Sequence, residues 1–361
     1  MASCRVAWIP TRTARSASPT QEKPPKEADP FSCLGRQSRP TSAGMTTKRA
    51  QDLTFIHHGL VKGKDKTPLT ALTLWLLGVI LLFGATSAGA QDEFRSINRQ
   101  VAPKDYQRIV ALAPSITEIL FTLGLGDRVI GVTQHCNYPP EASTRARVGS
   151  YVDLNIEKIL SLKPDLAIAT ADGNERGSVE RLLGFGIPVL VTNPKNLNQV
   201  YETIRSIGRV TRKEEKAETL VRSLKQRADR IILACSKLDH PRVFLQINEN
   251  PLITVGKETF HNNLIQLAGG INISGQETIK YPTYSLEQVL RLNPEVILIT
   301  SMERGALAEL KKKRWEQWKQ LSAVAHHRIY ILDSDLLDRP SPRLVDGLEA
   351  LARAIHPELR N

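Results

Sequence analysis

A long amphipathic stretch at residues 211–238 constrains the fold of this chain most strongly. Its apolar residues recur every three or four positions from Ala217 to Leu238, which places them along one face of a helix of about seven turns. Thr211 followed by Glu214 predicts a capping box at the start of that helix. At about 1.5 Å per residue the helix spans roughly 40 Å, so it is long enough to join two separate bodies.

One sequence pattern occurs on both sides of this stretch. Residues 155–170 and 285–300 each contain a short Leu-rich segment, a proline followed by an acidic residue, and an apolar run that ends in threonine. This pattern is also common in α/β proteins in general, but the matched length favours two related units. We therefore predict an α/β fold with two similar Rossmann-like lobes, each with a mainly parallel sheet, joined by one backbone helix. In such sheets ligands bind beyond the carboxyl ends of the strands.

The first 90 residues have a different character. Residues 1–66 are rich in Ser, Thr, Pro, Arg and Lys and contain a second methionine, Met45, so we expect a disordered or wrongly assigned extension. An apolar run at 69–83 follows three lysines and precedes Ala88-Gly89-Ala90, which is typical of a signal peptide cleaved after Ala90. The alternative is an uncleaved membrane anchor at residues 69–88.

We predict six segments along the chain. They are an extension (1–66), a signal peptide (67–90), a polar lead-in (91–104), an N-terminal lobe (105–196), linking helices that include the backbone helix (197–238) and a C-terminal lobe (239–361).

Charge and cysteine content exclude several classes of function. The chain carries a net charge of +12, but residues 1–90 hold 12 Lys and Arg against 5 Asp and Glu, which leaves +5 for the rest. No basic-aromatic cluster accompanies that excess, so nucleic acid is not an expected partner. Of the four cysteines, Cys136 and Cys235 follow the signal peptide; they are too few for a disulfide scaffold, and their pairing stays open.

The sequence contains no recognisable catalytic motif. Neither a Gly-x-Ser-x-Gly elbow, a Walker loop, a His-Glu-x-x-His pair nor a Cys-x-x-Cys pair occurs. We therefore expect a binding protein rather than an enzyme, with no resident cofactor or metal and a ligand between the two lobes. A membrane-tethered sensor or interaction module is the alternative if the apolar segment is retained.

Candidate binding residues come from loops that follow predicted strands. Pro114 and Ser115 begin a helix directly after a buried strand, and a predicted capping box joins Ser115 to Glu118. His135 lies in the loop after the second strand and is interpreted as a pocket residue rather than a metal ligand. Flat apolar area for a large ring is available from several aromatic residues, namely Tyr138, Tyr151, Tyr281, Tyr284, Trp315 and Trp318. Arg339 lies in a charged loop after the last strand.

The chain from about residue 108 onward resembles the periplasmic substrate-binding proteins of ABC importers for cobalamin, haem and iron-siderophores. The motifs that carry the resemblance are Ala113-Pro114-Ser115, Asn137-Tyr138-Pro139-Pro140, Gly173-Asn174-Glu175-Arg176 and Ser341-Pro342-Arg343. Within this class the cobalamin-binding members are the most similar. Thr170 stands where those members have a tryptophan, and Leu336 replaces another aromatic residue.

The resemblance implies a function for the whole chain. It implies a monomeric periplasmic protein that binds cobalamin or a related corrinoid and delivers it to a permease and ATPase in the inner membrane. Pro114, Ser115, Tyr138, Tyr151 and Arg339 would line the pocket. Haem or a ferric siderophore is the alternative ligand. The resemblance also implies that one acidic residue on each lobe docks onto the permease, for which Glu175 and Glu303 are the candidates, with Glu309 as a rival to Glu303.

Overall fold

The computed structural model describes residues 97–301 and 306–360, which all lie in one compact unit. The extension at 1–66, the signal peptide at 67–90 and most of the lead-in at 91–104 lie outside these residues, as does Glu303. Within the described part, no helix is both long and apolar enough to span a membrane.

The first lobe is built on a five-stranded sheet. Its strands lie in the order β3-β2-β1-β4-β5 and all of them run parallel. Its elements, including the helix α4 that follows the sheet, are β1 (Ile109–Ala111), α1 (Pro114–Thr122), β2 (Val129–Val132), β3 (Ala146–Arg147), α2 (Ile156–Ser161), β4 (Leu166–Thr170), α3 (Arg176–Gly184), β5 (Val189–Thr192) and α4 (Leu197–Val210).

The second lobe has a four-stranded parallel sheet in the order β7-β6-β8-β9. The backbone helix α5 (Glu214–Cys235) precedes it. Its elements are β6 (Arg242–Gln246), α6 (Phe260–Leu267), β7 (Ile271–Asn272), α7 (Leu286–Leu292), β8 (Val296–Ser301), α8 (Ala306–Glu316), α9 (Ser322–Ala325), β9 (Ile329–Asp333), α10 (Ser334–Leu337) and α11 (Leu344–Ile355). The predicted α/β fold with two parallel-sheet lobes is therefore confirmed.

The repeated pattern folds in the same way in both lobes. In each, a capped short helix leads through the Pro-acid turn into a buried central strand, α2 into β4 and α7 into β8. The acidic residue of the turn accepts hydrogen bonds from the backbone at the start of the neighbouring strand: Asp165 from Arg108 N at 2.9 Å, and Glu295 from Arg242 N at 2.9 Å. The repeat therefore aligns two adjacent strands, and with them the carboxyl ends of the sheet.

The backbone helix begins later than predicted. Thr211 does not cap it, because the Thr211 hydroxyl donates to Ile207 O at 2.7 Å and so closes the end of α4. The turn between α4 and α5 is made by Arg212, which has a left-handed φ of 56°. A Cβ at Gly208 would lie 2.4 Å from that of Ala217, so the glycine lets the two helices pack closely.

The apolar core passes through the linking helices. Within the described residues, one buried cluster combines the inner faces of both sheets with α4, α5, α6 and α11, while two smaller clusters cover the outer faces of the first and second sheets. The predicted apolar face of α5 is present and includes Ala217, Val221, Leu224 and Ala228. The backbone helix thus belongs to the core that joins the two lobes.

The segment at residues 253–256 makes isolated antiparallel bridges rather than a continuous strand. Thr254 N donates to Pro282 O at 3.1 Å. Because Pro282 has no N–H, it cannot return a bond and extend the ladder.

Candidate functional site

The loops at the carboxyl ends of the two sheets face each other and form the candidate ligand cleft. On the first lobe these loops follow β1, β2, β4 and β5, and on the second they follow β6, β8 and β9. Hydrogen bonds cross between the loops and helices of the two lobes at several points, among them Glu118, Asn137, Asp172 and Lys195. The residues at this edge are therefore close enough to contact one ligand together.

The start of α1 contributes Pro114 and Ser115. Both lie in the first turn directly after β1, and Ser115 is buried. The predicted capping box is wrong, because Ala113 is the N-cap and no side chain caps the helix. The Glu118 carboxylate points instead to the second lobe, where it accepts a hydrogen bond from Ser341 at 2.6 Å.

The loop after β2 presents His135 and Tyr138, and both are exposed. Arg147 holds the backbone of this loop in place, because its guanidinium donates to Thr133 O at 2.9 Å and to Cys136 O at 3.0 Å. Cys136 itself is buried and unpaired, and so is Cys235. Burial raises the pKa of the Cys136 thiol although hydrogen bonds from neighbouring threonines oppose the shift.

Tyr151 packs directly on the loop after β4. A Cβ at Gly173 would lie 1.7 Å from the tyrosine ring, so only glycine leaves space for it. The next residue, Asn174, accepts from Thr170 N at 2.8 Å and donates to Leu112 O at 2.9 Å and Tyr151 O at 2.8 Å. One buried amide thus connects three loops of the first lobe and positions the backbone of Tyr151.

Tyr281 of the second lobe lies near Tyr151 and Asp172 of the first lobe. Burial and the nearby charge of Asp172 raise the pKa of both hydroxyls, so both side chains are neutral across the physiological range. Asp172 also accepts from Lys280 at 2.5 Å across the lobes. Two aromatic rings and one ion pair between the lobes therefore lie close together at the carboxyl edge.

A histidine lies behind Tyr281. His261 Nε2 is 3.0 Å from an oxygen of Asp338, and its ring makes an edge contact with Tyr281 at 6.2 Å between centroids. No sequence motif marks this pair, which comes from α6 and from the segment after α10.

Arg339 is almost fully buried, with 8% of its surface exposed. It donates to Glu118 at 3.1 Å, to Asn137 at 2.7 Å and to His135 O at 3.2 Å, and it pairs with Asp335 at 2.5 Å. The structure therefore places this predicted ligand residue at the cleft but in contact with four protein groups.

Arg343 was not predicted as a site residue. Its guanidinium donates to Glu118 at 2.6 and 3.0 Å and lies 3.9 Å from the centre of the Tyr138 ring. Burial acts to lower the pKa of Arg343, but its hydrogen bonds with Glu118 and the charge of that carboxylate outweigh burial and raise it. The charge of Arg343 is therefore permanent.

Of the other predicted residues, the two glutamates are exposed and three aromatic residues belong to the core of the second lobe. Glu175 is exposed and precedes the first turn of α3 as its N-cap, on the same edge of the sheet. Glu309 is exposed in the first turn of α8. Trp315 and Tyr284 are buried in the core of the second lobe with Phe244, and Trp318 packs against that core, so these three aromatic residues are not part of the cleft.

Among the described residues no group of three His, Cys, Asp or Glu side chains is close enough to hold a metal ion. The cleft consists of aromatic rings, amides and paired charges, which suits non-covalent binding of a large ligand.

The chain matches a family of known proteins over most of its described length. The family model described as periplasmic binding protein matches residues 109–336. The chain belongs to the periplasmic binding protein family. Members of this family are solute-binding proteins.

Several individual relatives are similar to this member of the family. An uncharacterized ABC transporter substrate-binding lipoprotein of Bacillus subtilis is 36% identical over 262 residues, which cover 71% of this chain and 82% of the relative. A vitamin B12-binding protein of Vibrio cholerae is 34% identical over 248 residues, 68% of this chain and 88% of the relative.

Solved structures agree with these sequence similarities. The crystal structure of the periplasmic vitamin B12 binding protein of Vibrio cholerae has a TM-score of 0.65 at 31% identity and covers 72% of this chain and all of that one. A periplasmic haem-binding protein from Roseiflexus, in its apo form, has a TM-score of 0.64 at 26% identity and covers 70% of this chain and 98% of that one. The predicted resemblance is thereby confirmed.

Proposed function

We propose that this protein is the substrate-binding protein of an ABC importer and that it binds cobalamin or a related corrinoid between its two lobes. The observation that carries the proposal is the similarity, over 88% of its length, to a vitamin B12-binding protein. Tyr151 and Tyr281, which lie near each other from the two lobes, support a large planar ligand, since aromatic rings offer wide apolar contact.

In this proposal the cleft residues divide by the type of contact they make. Tyr151 and the exposed Tyr138 contact the faces of the ring system, whereas Pro114 and Ser115 contact its polar substituents at the start of α1. His135 and Arg339 supply polar groups from the two lobes. Because α5 belongs to a shared core, the ligand enters a largely preformed cleft with a small closing movement, and no covalent chemistry occurs.

The aromatic content of the cleft differs from that of the cobalamin-binding class at two positions. Thr170 is buried beside the Tyr151 hydroxyl, and Leu336 is half-buried on α10. Tyr151 and Tyr281 therefore supply aromatic area in place of the residues that are missing.

A titration tests the proposed ligand. Purified protein is titrated with cyanocobalamin, with haemin and with a ferric hydroxamate by calorimetry and visible absorbance. We expect one corrinoid per chain and weaker or no binding of the other two. The absence of corrinoid binding would contradict the proposal.

A variant pair tests the placement of the ligand. Tyr151→Ala removes a ring from the cleft, and we expect its corrinoid affinity to fall at least about ten-fold, the effect of about 1.4 kcal/mol. Phe185→Ala is the matched control, because Phe185 is 62% exposed at the carboxyl end of α3, away from the strand ends. Equal affinities of the two variants would place the ligand elsewhere.

Haem or a ferric siderophore in the same cleft is the second candidate. It is favoured by the similarity to the haem-binding protein of Roseiflexus and by the exposed imidazole of His135, a side chain suited to iron. A Soret band after haemin addition that is lost in His135→Ala would support it.

We further propose that the protein docks onto its permease through acidic residues at the strand-end face. Glu175 is the first-lobe candidate, and on the second lobe the choice lies between Glu303 and Glu309. Replacing Glu175 and Glu303 by lysine should abolish corrinoid uptake into vesicles that contain the importer while leaving ligand affinity intact. Lost affinity would place these residues in the pocket instead.

Periplasmic delivery through a cleavable signal completes the proposal, with one ligand-bound monomer per permease complex. Sequencing the amino terminus of the exported protein tests this. A chain that begins at Gln91 supports cleavage, whereas retention of residues 69–88 supports the membrane-tethered alternative.

A further inference from the structure

A carboxylate of the first lobe is buried against the second. The Glu118 side chain is 1% exposed, and its two oxygens accept hydrogen bonds from Arg339, Arg343 and Ser341. A carboxylate in such a place is stable only when its charge is fully paired, so removal of either partner is costly. Glu118 and its three partners thus form one unit that spans the lobes.

The same unit holds the loop after β2. Arg339 extends from Glu118 to Asn137 Oδ1 and His135 O, and Arg343 lies over the ring of Tyr138. The loop that carries two of the proposed ligand residues is therefore positioned by arginines of the opposite lobe, and those arginines are positioned by Glu118.

The other ion pairs between the lobes are much more open to water. In the Lys195–Glu258 pair the side chains are 28% and 60% exposed, and in the Lys280–Asp172 pair they are 36% and 28% exposed. Pairs of this kind contribute little because water screens them and their side chains lose entropy. Among these ion pairs across the strand-end edge, the one at Glu118 is therefore the least screened by water and the most costly to break.

We propose that Glu118 is a positioning residue for the ligand: through Arg339 and Arg343 it fixes the loop of His135 and Tyr138 against the second lobe and so sets the width of the cleft. The part of this proposal that concerns affinity rests on the proposed function. A protein that spends only a fraction of its time in the binding-competent arrangement loses affinity by that fraction. Glu118→Gln keeps the size of the side chain and removes its charge, so it should lower that fraction.

The experiment combines affinity with a distance measurement that needs no ligand. Corrinoid affinity and dissociation rate are measured for the wild type, for Glu118→Gln and for the control Glu258→Gln, which breaks an exposed pair between the same lobes. Glu118→Gln should bind at least about ten-fold more weakly, mainly through faster dissociation, while Glu258→Gln stays within about two-fold of the wild type.

The distance between lobes is read from spin labels at Glu141→Cys and Gln317→Cys, two exposed positions, with Cys4 and Cys33 replaced by serine. Glu118→Gln should broaden the distance distribution, and Glu258→Gln should not. A folded Glu118→Gln protein with a narrow, wild-type distribution would overturn the proposal, whatever its affinity. Should Glu118→Gln fail to fold, Arg343→Lys replaces it, because lysine keeps the charge and loses the two-nitrogen contact; the same criteria apply.

The two proposals fail in different ways. If wild-type protein binds no corrinoid, the proposed function is wrong, and the distance measurement still decides the role of Glu118. If wild type and Glu118→Gln bind a corrinoid equally well, the proposed function stands and the positioning role is wrong.

Discussion

Changing Asn174 to aspartate should destabilise the first lobe strongly, although the two side chains have nearly the same shape. Asn174 is 7% exposed. Aspartate keeps the oxygen that accepts from Thr170 N but loses the amide group that donates to Leu112 O and Tyr151 O. One buried and one partly buried carbonyl group are then left without this donor, at up to about 1–3 kcal/mol each, which gives a loss of roughly 2–5 kcal/mol. That is a large part of the 5–15 kcal/mol typical of whole proteins, by order of magnitude.

Urea denaturation followed by circular dichroism measures this loss. The matched control is Asn155→Asp, because the Asn155 oxygen accepts from Lys158 N at 2.8 Å as the cap of α2, a role that aspartate performs equally well. A carboxylate that faces two carbonyls has its pKa raised by burial and by those dipoles. The folded-state pKa then exceeds the unfolded one, so the Asn174→Asp defect should shrink as the pH falls toward about 4. A loss below about 1 kcal/mol at neutral pH would refute this account of Asn174.

Three further predictions concern the described core. Burial lowers the pKa of His356 below its usual 6.5. Because the folded-state pKa is lower than the unfolded one, the neutral ring contributes stability above about pH 6.5, and this stability is lost as the pH falls. The free energy of unfolding of His356→Gln should therefore fall less than that of the wild type between about pH 7.5 and pH 5.5, and an equal fall in both proteins would contradict this. Cys136 should resist alkylation by iodoacetamide in the native protein and react after unfolding, because its thiol is buried and its pKa is raised; rapid native labelling on a mass spectrum would disagree. Leu351→Ala should lower the free energy of unfolding, measured in urea, by about 2–5 kcal/mol, since Leu351 on α11 is 1% exposed and packs in the shared core. Leu310→Ala, at a site that is 50% exposed, should change it by under about 0.5 kcal/mol.

Local regularities in the sequence predicted the lobes well because their causes are local. The repeat at 155–170 and 285–300 combines helix capping, a proline turn and a buried strand, and each of these depends on neighbours in the chain. The backbone helix was predicted to begin at Thr211 rather than at Glu214 because Arg212 adopts the left-handed conformation, a role for which glycine or asparagine is the usual signal.

The candidate site was predicted only in part because its geometry depends on distant residues. Glu118 and Arg343 are separated by 225 positions in sequence, and the spacing of Ser115 and Glu118 indicated a capping box. A usable signal was present: Glu118 lies among apolar residues that are buried on all sides of α1, and a charge in such a helix requires a partner. Arg339 was identified as a cleft residue, but its contacts with four protein groups had no counterpart in the sequence pattern.

The claim that a corrinoid is held between the lobes is tested most directly by hydrogen–deuterium exchange with and without cyanocobalamin. The account predicts slower amide exchange in loops of both lobes, at residues 133–138 and 149–154 in the first and at residues 278–284 and 333–339 in the second. Unchanged exchange in both sets of loops, or protection confined to one lobe, would contradict it.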